Sequence, residues 1–178
     1  MSRKVGLVVE GVSDKKFFDE HFKKQFPDFR GMKVILSGTG NTCKIQNEKK
    51  VKSKIADLRD NDCNEIYVFI DLDSQCKKKI YDCVVELKND FVAKMNLSSE
   101  TDVKVIVVSS EIEAWMLSAW ENSDKKKKED LQKKLSIKSS KNIEEVLLQK
   151  FISLKQNINC KHNESLRYFF KKLGVACN

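Results

Sequence analysis

Three apolar runs constrain the fold of this chain more than anything else in it: Val5–Val9, Ile66–Ile70 and Val103–Val108. Each is short, mostly apolar and rich in β-branched or aromatic residues, the pattern of a strand buried on both faces. Each is followed by a segment whose apolar residues recur at helical spacing. Strands alternating with helices are joined by crossovers, and crossovers build a parallel sheet between helices. Met32–Leu36 reads as a further strand. The fold class is therefore α/β, with about four parallel strands between helices and a helical extension at the C-terminal end.

The residues at which these runs stop carry the chemistry. Val5–Val9 runs into Glu10-Gly11-Val12-Ser13-Asp14, and Glu65–Asp71 ends in Asp71-Leu72-Asp73. Val103–Val108 leads into Ser109-Ser110-Glu111-Ile112-Glu113-Ala114-Trp115. Open α/β sheets bind ligands outside the carboxyl ends of their strands. Gly11 suits a tight turn, and Ser13 or Asp14 is placed to cap the helix that begins near Lys15. Asp71 and Asp73 point the same way in an extended chain and suit Mg²⁺ or Mn²⁺; the other reading is a turn in which Asp73 caps the next helix. Glu111 stands nearest its strand end, and Glu113 lies about 200° round a helix from it, so one of the two is expected to face away.

Between the strands, Lys15–Phe26 reads as an amphipathic helix with His21 inside its phenylalanine stripe, a core position rather than a ligand. Ser37-Gly38-Thr39-Gly40-Asn41-Thr42 lacks the Gly-Lys-Ser/Thr ending of a Walker loop and reads as a plain loop, although its small residues suit a phosphate. Helices are expected over 43–59, 75–95, 142–158 and from Asn163 onward, with Cys76 and Cys83 at core or boundary positions of the second. Residues 122–130 form a charge run expected to be a mobile loop. No internal repeat and no segment with a separate core is visible.

Charge is unevenly placed. The net charge is +8, yet residues 1–122 hold 20 basic and 20 acidic side chains, whereas residues 123–178 hold 14 and 6. The excess reads either as a basic cover for a polyanion or as a solvated lysine-rich surface. Arg167, Lys171 and Lys172 are the candidate nucleic-acid contacts, because Arg167 and Lys171 share a helix face. None of the six cysteines forms a CxxC pair, and His21 and His162 are far apart, which argues against zinc. Reduced thiols, no membrane span and a cytoplasmic location are expected.

The order strand-Glu-Gly-x-x-Asp, strand-Asp-x-Asp, strand followed by Glu-x-Glu-Ala-Trp resembles the Toprim domain of topoisomerases, DnaG-type primases and OLD-family nucleases. Glu10–Asp14 matches its glutamate motif and Asp71–Asp73 its aspartate pair. Glu111–Trp115 looks like small stand-alone Toprim proteins similar to OLD nucleases. The likeness covers roughly residues 3–120. It implies a Toprim-like catalytic domain at 1–121 with a basic helical extension at 122–178. It also implies Mg²⁺ or Mn²⁺ at Asp71 and Asp73, with Glu10, Glu111 and Glu113 as further ligands. Glu10, Asp14 and Glu111 are the implied catalytic residues, and Glu10 serves either as ligand or as general acid/base. No lysine aligns with the catalytic lysine of OLD-like enzymes. The function implied is a metal-dependent nuclease acting on DNA or RNA, with phage defence as a setting by analogy. The rivals are a non-catalytic metal- and nucleic-acid-binding subunit of a larger complex, and a phosphotransfer module, for which the early aspartate pair is missing. The chain carries no ATPase motif, so an ATPase partner would be another chain; a homo-oligomer is compatible with all of this.

Overall fold

The computed structural model describes residues 3–38, 45–72, 81, 83–109, 111–138 and 140–177. Four strands form one all-parallel sheet in the order β2-β1-β3-β4: β1 Val5–Val9, β2 Lys33–Leu36, β3 Glu65–Asp71 and β4 Val103–Val108. Register pairs Leu7 with Val34 and with Tyr67. The helices are α1 Val12–Lys16, α2 Lys23–Gln25, α3 Glu48–Asp60, α4 Val84–Lys94, α5 Ile112–Leu117, α6 Lys128–Leu135, α7 Ile143–Ser153 and α8 Glu164–Leu173. The chain divides into two compact units, residues 1–107 and 108–178, so α5 groups with the C-terminal helices rather than with the sheet.

In the first unit, alternation along the strands sorts side chains onto two faces. Val8, Ile66, Val68, Ile70, Val105 and Val107 share a core with Val51, Ile55 and Leu58 of α3 and Leu87 and Phe91 of α4. The intervening residues Tyr67 and Phe69 point the other way, and Phe69 meets Phe18 at 5.1 Å between ring centroids. Phe17, Phe18 and Phe22 are fully buried, each a contribution of about 1.5–3 kcal/mol. They sit in a π-helical stretch, Phe17–Phe22, that joins α1 to α2, where a regular helix was expected. Gly6 is where α3 comes closest to the sheet. A Cβ there would lie 2.9 Å from the Leu58 methyl carbons and 3.2 Å from Cys63 Sγ.

The opposite end of the strands is neutralised. Glu65 accepts from Arg3 Nε at 2.6 Å, from Tyr67 at 2.6 Å and from Lys104. Burial alone would raise this carboxyl, but those three hydrogen bonds overcome it and lower it to about 2. Arg59 holds Asp102 at 2.7 Å and Glu100 at 2.5 Å.

In the second unit, every residue of α5 is buried. Trp115 donates to Ser165 Oγ at 2.8 Å and stacks on Phe169 at 5.5 Å, so it packs and does not stack on bases. Asn163 caps α8 through a 3.0 Å bond from the Leu166 N–H, and Gly174, at φ 67°, ends it as expected.

Several expectations are corrected. The run 122–130 is not all loop: its last residues begin α6, where the Lys127 N–H donates to Asp130 at 2.9 Å and Leu131 and Leu135 are buried. Cys83 is exposed, immediately before α4. The thiols are not all reduced. After Gly174 the chain turns back and brings Cys177 to 5.7 Å from Cys160 between Cα atoms, where the two form a disulfide. Cys43, Cys76 and most of the 37–42 loop lie outside the described residues.

Candidate functional site

A parallel sheet gathers its carboxyl ends on one edge, and the acids at the ends of β1 and β3 meet there because those strands are neighbours. Glu10 is only 7% exposed. Its Oε1 accepts the backbone N–H of Asp71 at 3.0 Å, which fixes the Glu10 carboxylate against the end of β3. Asp71 itself is half-buried. Asp73, its expected companion, lies outside the described residues.

The turn after β1 holds this geometry. Asp14 accepts the Gly11 N–H at 2.8 Å, so Asp14 closes the first turn of α1 from inside the helix instead of capping it from outside. Gly11 has φ −112°, an ordinary extended value. Its benefit is space, since a Cβ would lie 3.3 Å from Asp14 Oδ2.

Glu111 and Glu113 belong to the second unit. Glu111 precedes α5 in extended backbone, so the expected 200° separation does not apply to the pair. Its Oε2 accepts the Lys128 N–H at 3.2 Å, at the start of α6, where a carboxylate is favoured by the helix dipole. Glu113 is 4% exposed. The Lys128 ammonium bonds Glu144 at 3.1 Å. Burial would lower its pKa, but the Glu144 bond and the charges of Glu111, Glu144 and Glu113 raise it. Lys128 therefore stays a cation among three carboxylates. Sequence reasoning missed it by taking its segment for a loop; the Lys127–Asp130 spacing and the Leu131–Leu135 pair were the available signals.

The candidate nucleic-acid contacts on α8 divide. Lys171 and Lys172 are exposed. Arg167 instead donates to the backbone carbonyls of Cys160 at 3.2 Å and Lys161 at 2.8 Å, which ties α8 to the preceding turn.

Comparison with curated proteins and with solved structures gives no match. A family model does match, over residues 9–150. The match runs from the end of β1 into α7. It contains Glu10, Asp14, Asp71, Asp73, Glu111, Glu113 and Lys128, and it stops before α8. It covers well over half of the chain, which therefore belongs to the family described as a domain of unknown function, DUF4276.

Proposed function

We propose that this protein is a divalent-metal-dependent phosphodiesterase that cleaves DNA or RNA, with Glu10 and Asp71 at the centre of its site. The observation that carries the reading is the buried Glu10 carboxylate, oriented by the backbone of Asp71 on the adjacent strand. Burying an acid at a strand end costs free energy that a functional role explains.

The donor set fits a hard ion. Glu10 and Asp71 offer oxygen alone, and Mg²⁺ or Mn²⁺ keeps several waters beside one or two carboxylates. Among the described residues no group of three or more His, Cys, Asp or Glu side chains is arranged to hold a metal ion. The seat proposed is therefore a pair of carboxylates, with Asp73 as a third donor. When bound, the ion supplies activation of water and neutralisation of charge on the scissile phosphate.

The chain's own groups do the rest. Glu10, oriented by the Asp71 N–H, holds the ion or takes up a proton. Asp14 positions Glu10 by closing the turn behind it. Lys128 belongs to the second unit, where its acidic neighbours keep it cationic and unsuited to acting as a base. Glu111 and Glu113 are proposed as metal ligands within the second unit. Lys171 and Lys172 supply backbone contacts outside the region matched to the family. The Toprim resemblance supports the same assignment.

The test is to incubate plasmid, single-stranded DNA and tRNA with the purified chain and Mg²⁺ or Mn²⁺, beside Asp71→Ala. Cleavage by the parent and none by the variant is the expected result. Binding without cleavage by the parent favours a non-catalytic subunit. Undiminished cleavage by the variant removes Asp71 from the mechanism.

A further inference from the structure

Beside the edge strand β2 lies a cleft of about 560 Å³ whose lining includes Lys15, Ser37, Lys49, Lys50, Ser53 and Lys54, with the apolar side of β2 along one wall. No carboxylate lines it among the described residues. Lys15 and Lys54 bond Asp19 and Asp57 on their own helical segments. Lys49 and Lys50 form no ion pair among the described residues, and they stand in the first turn of α3. Cations there oppose the helix dipole, so this end of α3 adds positive potential to four ammonium groups.

Ser37 supplies an independent sign of a ligand. It is 1% exposed, and its hydroxyl has no hydrogen-bond partner among the described residues. Leaving a buried hydroxyl unsatisfied costs about 1–3 kcal/mol, and native structures leave few. The Ser37 N–H donates to the Val9 carbonyl at 2.9 Å, so the backbone of this residue is anchored beside the strand end that carries Glu10. A ligand with several acceptor oxygens and more than one negative charge satisfies both the hydroxyl and the lysines. The volume is within the usual range for small-molecule sites.

We infer that this cleft binds a phosphate group, presented either by a nucleic-acid backbone or by a free phosphate compound. The inference needs neither the metal nor the cleavage chemistry proposed above. Two probes separate the sources: inorganic pyrophosphate, and a short single-stranded oligonucleotide without a terminal phosphate. Each is titrated calorimetrically, without divalent metal, into the full chain, Lys49→Gln with Lys50→Gln, Ser37→Ala and Asp71→Ala. At least one probe should bind. The lysine variant should weaken it about tenfold or more and Ser37→Ala severalfold. Asp71→Ala should bind as the parent does, so loss of cleavage and loss of this site are distinguishable. Ser37→Ala should melt at or above the parent temperature, because it removes an unsatisfied hydroxyl. Dependence seen with pyrophosphate assigns a free phosphate compound; dependence seen with the oligonucleotide alone assigns the strand backbone. If neither probe binds the parent, or the lysine variant binds both unchanged, the inference is overturned.

Discussion

The two edges of the sheet treat their acids differently. At the amino edge, Glu65, Asp102 and Glu100 are bonded to Arg3, Lys104 and Arg59. At the carboxyl edge, Glu10 and Asp14 accept from backbone N–H groups, of Asp71 and Gly11. A cation partner neutralises a carboxylate; an amide bond fixes its direction. The first arrangement closes a sheet edge. The second holds a carboxylate in a fixed direction at the end of a strand.

The largest effect expected from this contrast is at the carboxyl edge. Glu10→Gln should reduce metal-dependent cleavage by about 10²-fold or more while the melting temperature holds within a few degrees. Asp71→Ala with Asp73→Ala should abolish the Mn²⁺ binding event assigned to this edge in calorimetry and leave the fold intact. Unchanged Mn²⁺ affinity would falsify the metal assignment.

Next comes the aromatic layer over the sheet. Burial lowers the pKa of His21 to about 4, with the charge of Lys24 adding to it and a hydrogen bond with Gln25 opposing it. The folded value lies below the unfolded one, so the unfolded chain binds the proton more readily. Stability should be complete above about pH 6.5 and fall by about 2–3 kcal/mol as the pH drops towards 4. His21→Leu should flatten that slope in denaturant titrations across this window. An unaltered slope would show that other groups carry it.

The amino edge should respond more modestly. Glu65→Gln removes the charge that Arg3 and Lys104 share, and should cost about 1–3 kcal/mol at neutral pH. Since the Glu65 carboxyl is lowered to about 2, its stabilisation is present above the usual carboxyl range and lost as the pH falls through that value. Chemical denaturation at pH 7 and at pH 2 should show the parent and variant converging at the lower pH. A constant gap would mean that shape, not charge, is what Glu65 contributes.

The smallest effect concerns α8, where the same contrast recurs in miniature. Arg167 is bonded to carbonyls and belongs to the scaffold, while Lys171 and Lys172 face solvent. Lys171→Gln with Lys172→Gln should weaken oligonucleotide binding by about 1–2 kcal/mol and lower the salt slope by roughly one to two units. Arg167→Ala should instead lower the melting temperature. A salt titration in which the lysine variant matches the parent makes the charge of this helix a matter of solubility.

What the sequence determined by itself was whatever depends on neighbours along the chain. Apolar runs identified the strands, the 3.6-residue period identified most helix faces, and Asn163 and Gly174 marked the ends of α8. The acids at strand ends were legible for the same reason, because a strand's end is a local event. Tertiary structure alone decided strand order, and with it that Glu10 meets the Asp71 N–H across 61 positions of sequence. It decided that Lys128 stands among Glu111, Glu113 and Glu144, that Arg167 is bonded to backbone carbonyls, that Cys177 reaches Cys160, and that Ser37 is buried in a lysine-lined cleft. Each of these turns on which groups share one small volume. A pattern of residue types along a chain encodes the period of an element but not the identity of what packs against it, because burial and pairing are set by the whole fold at once.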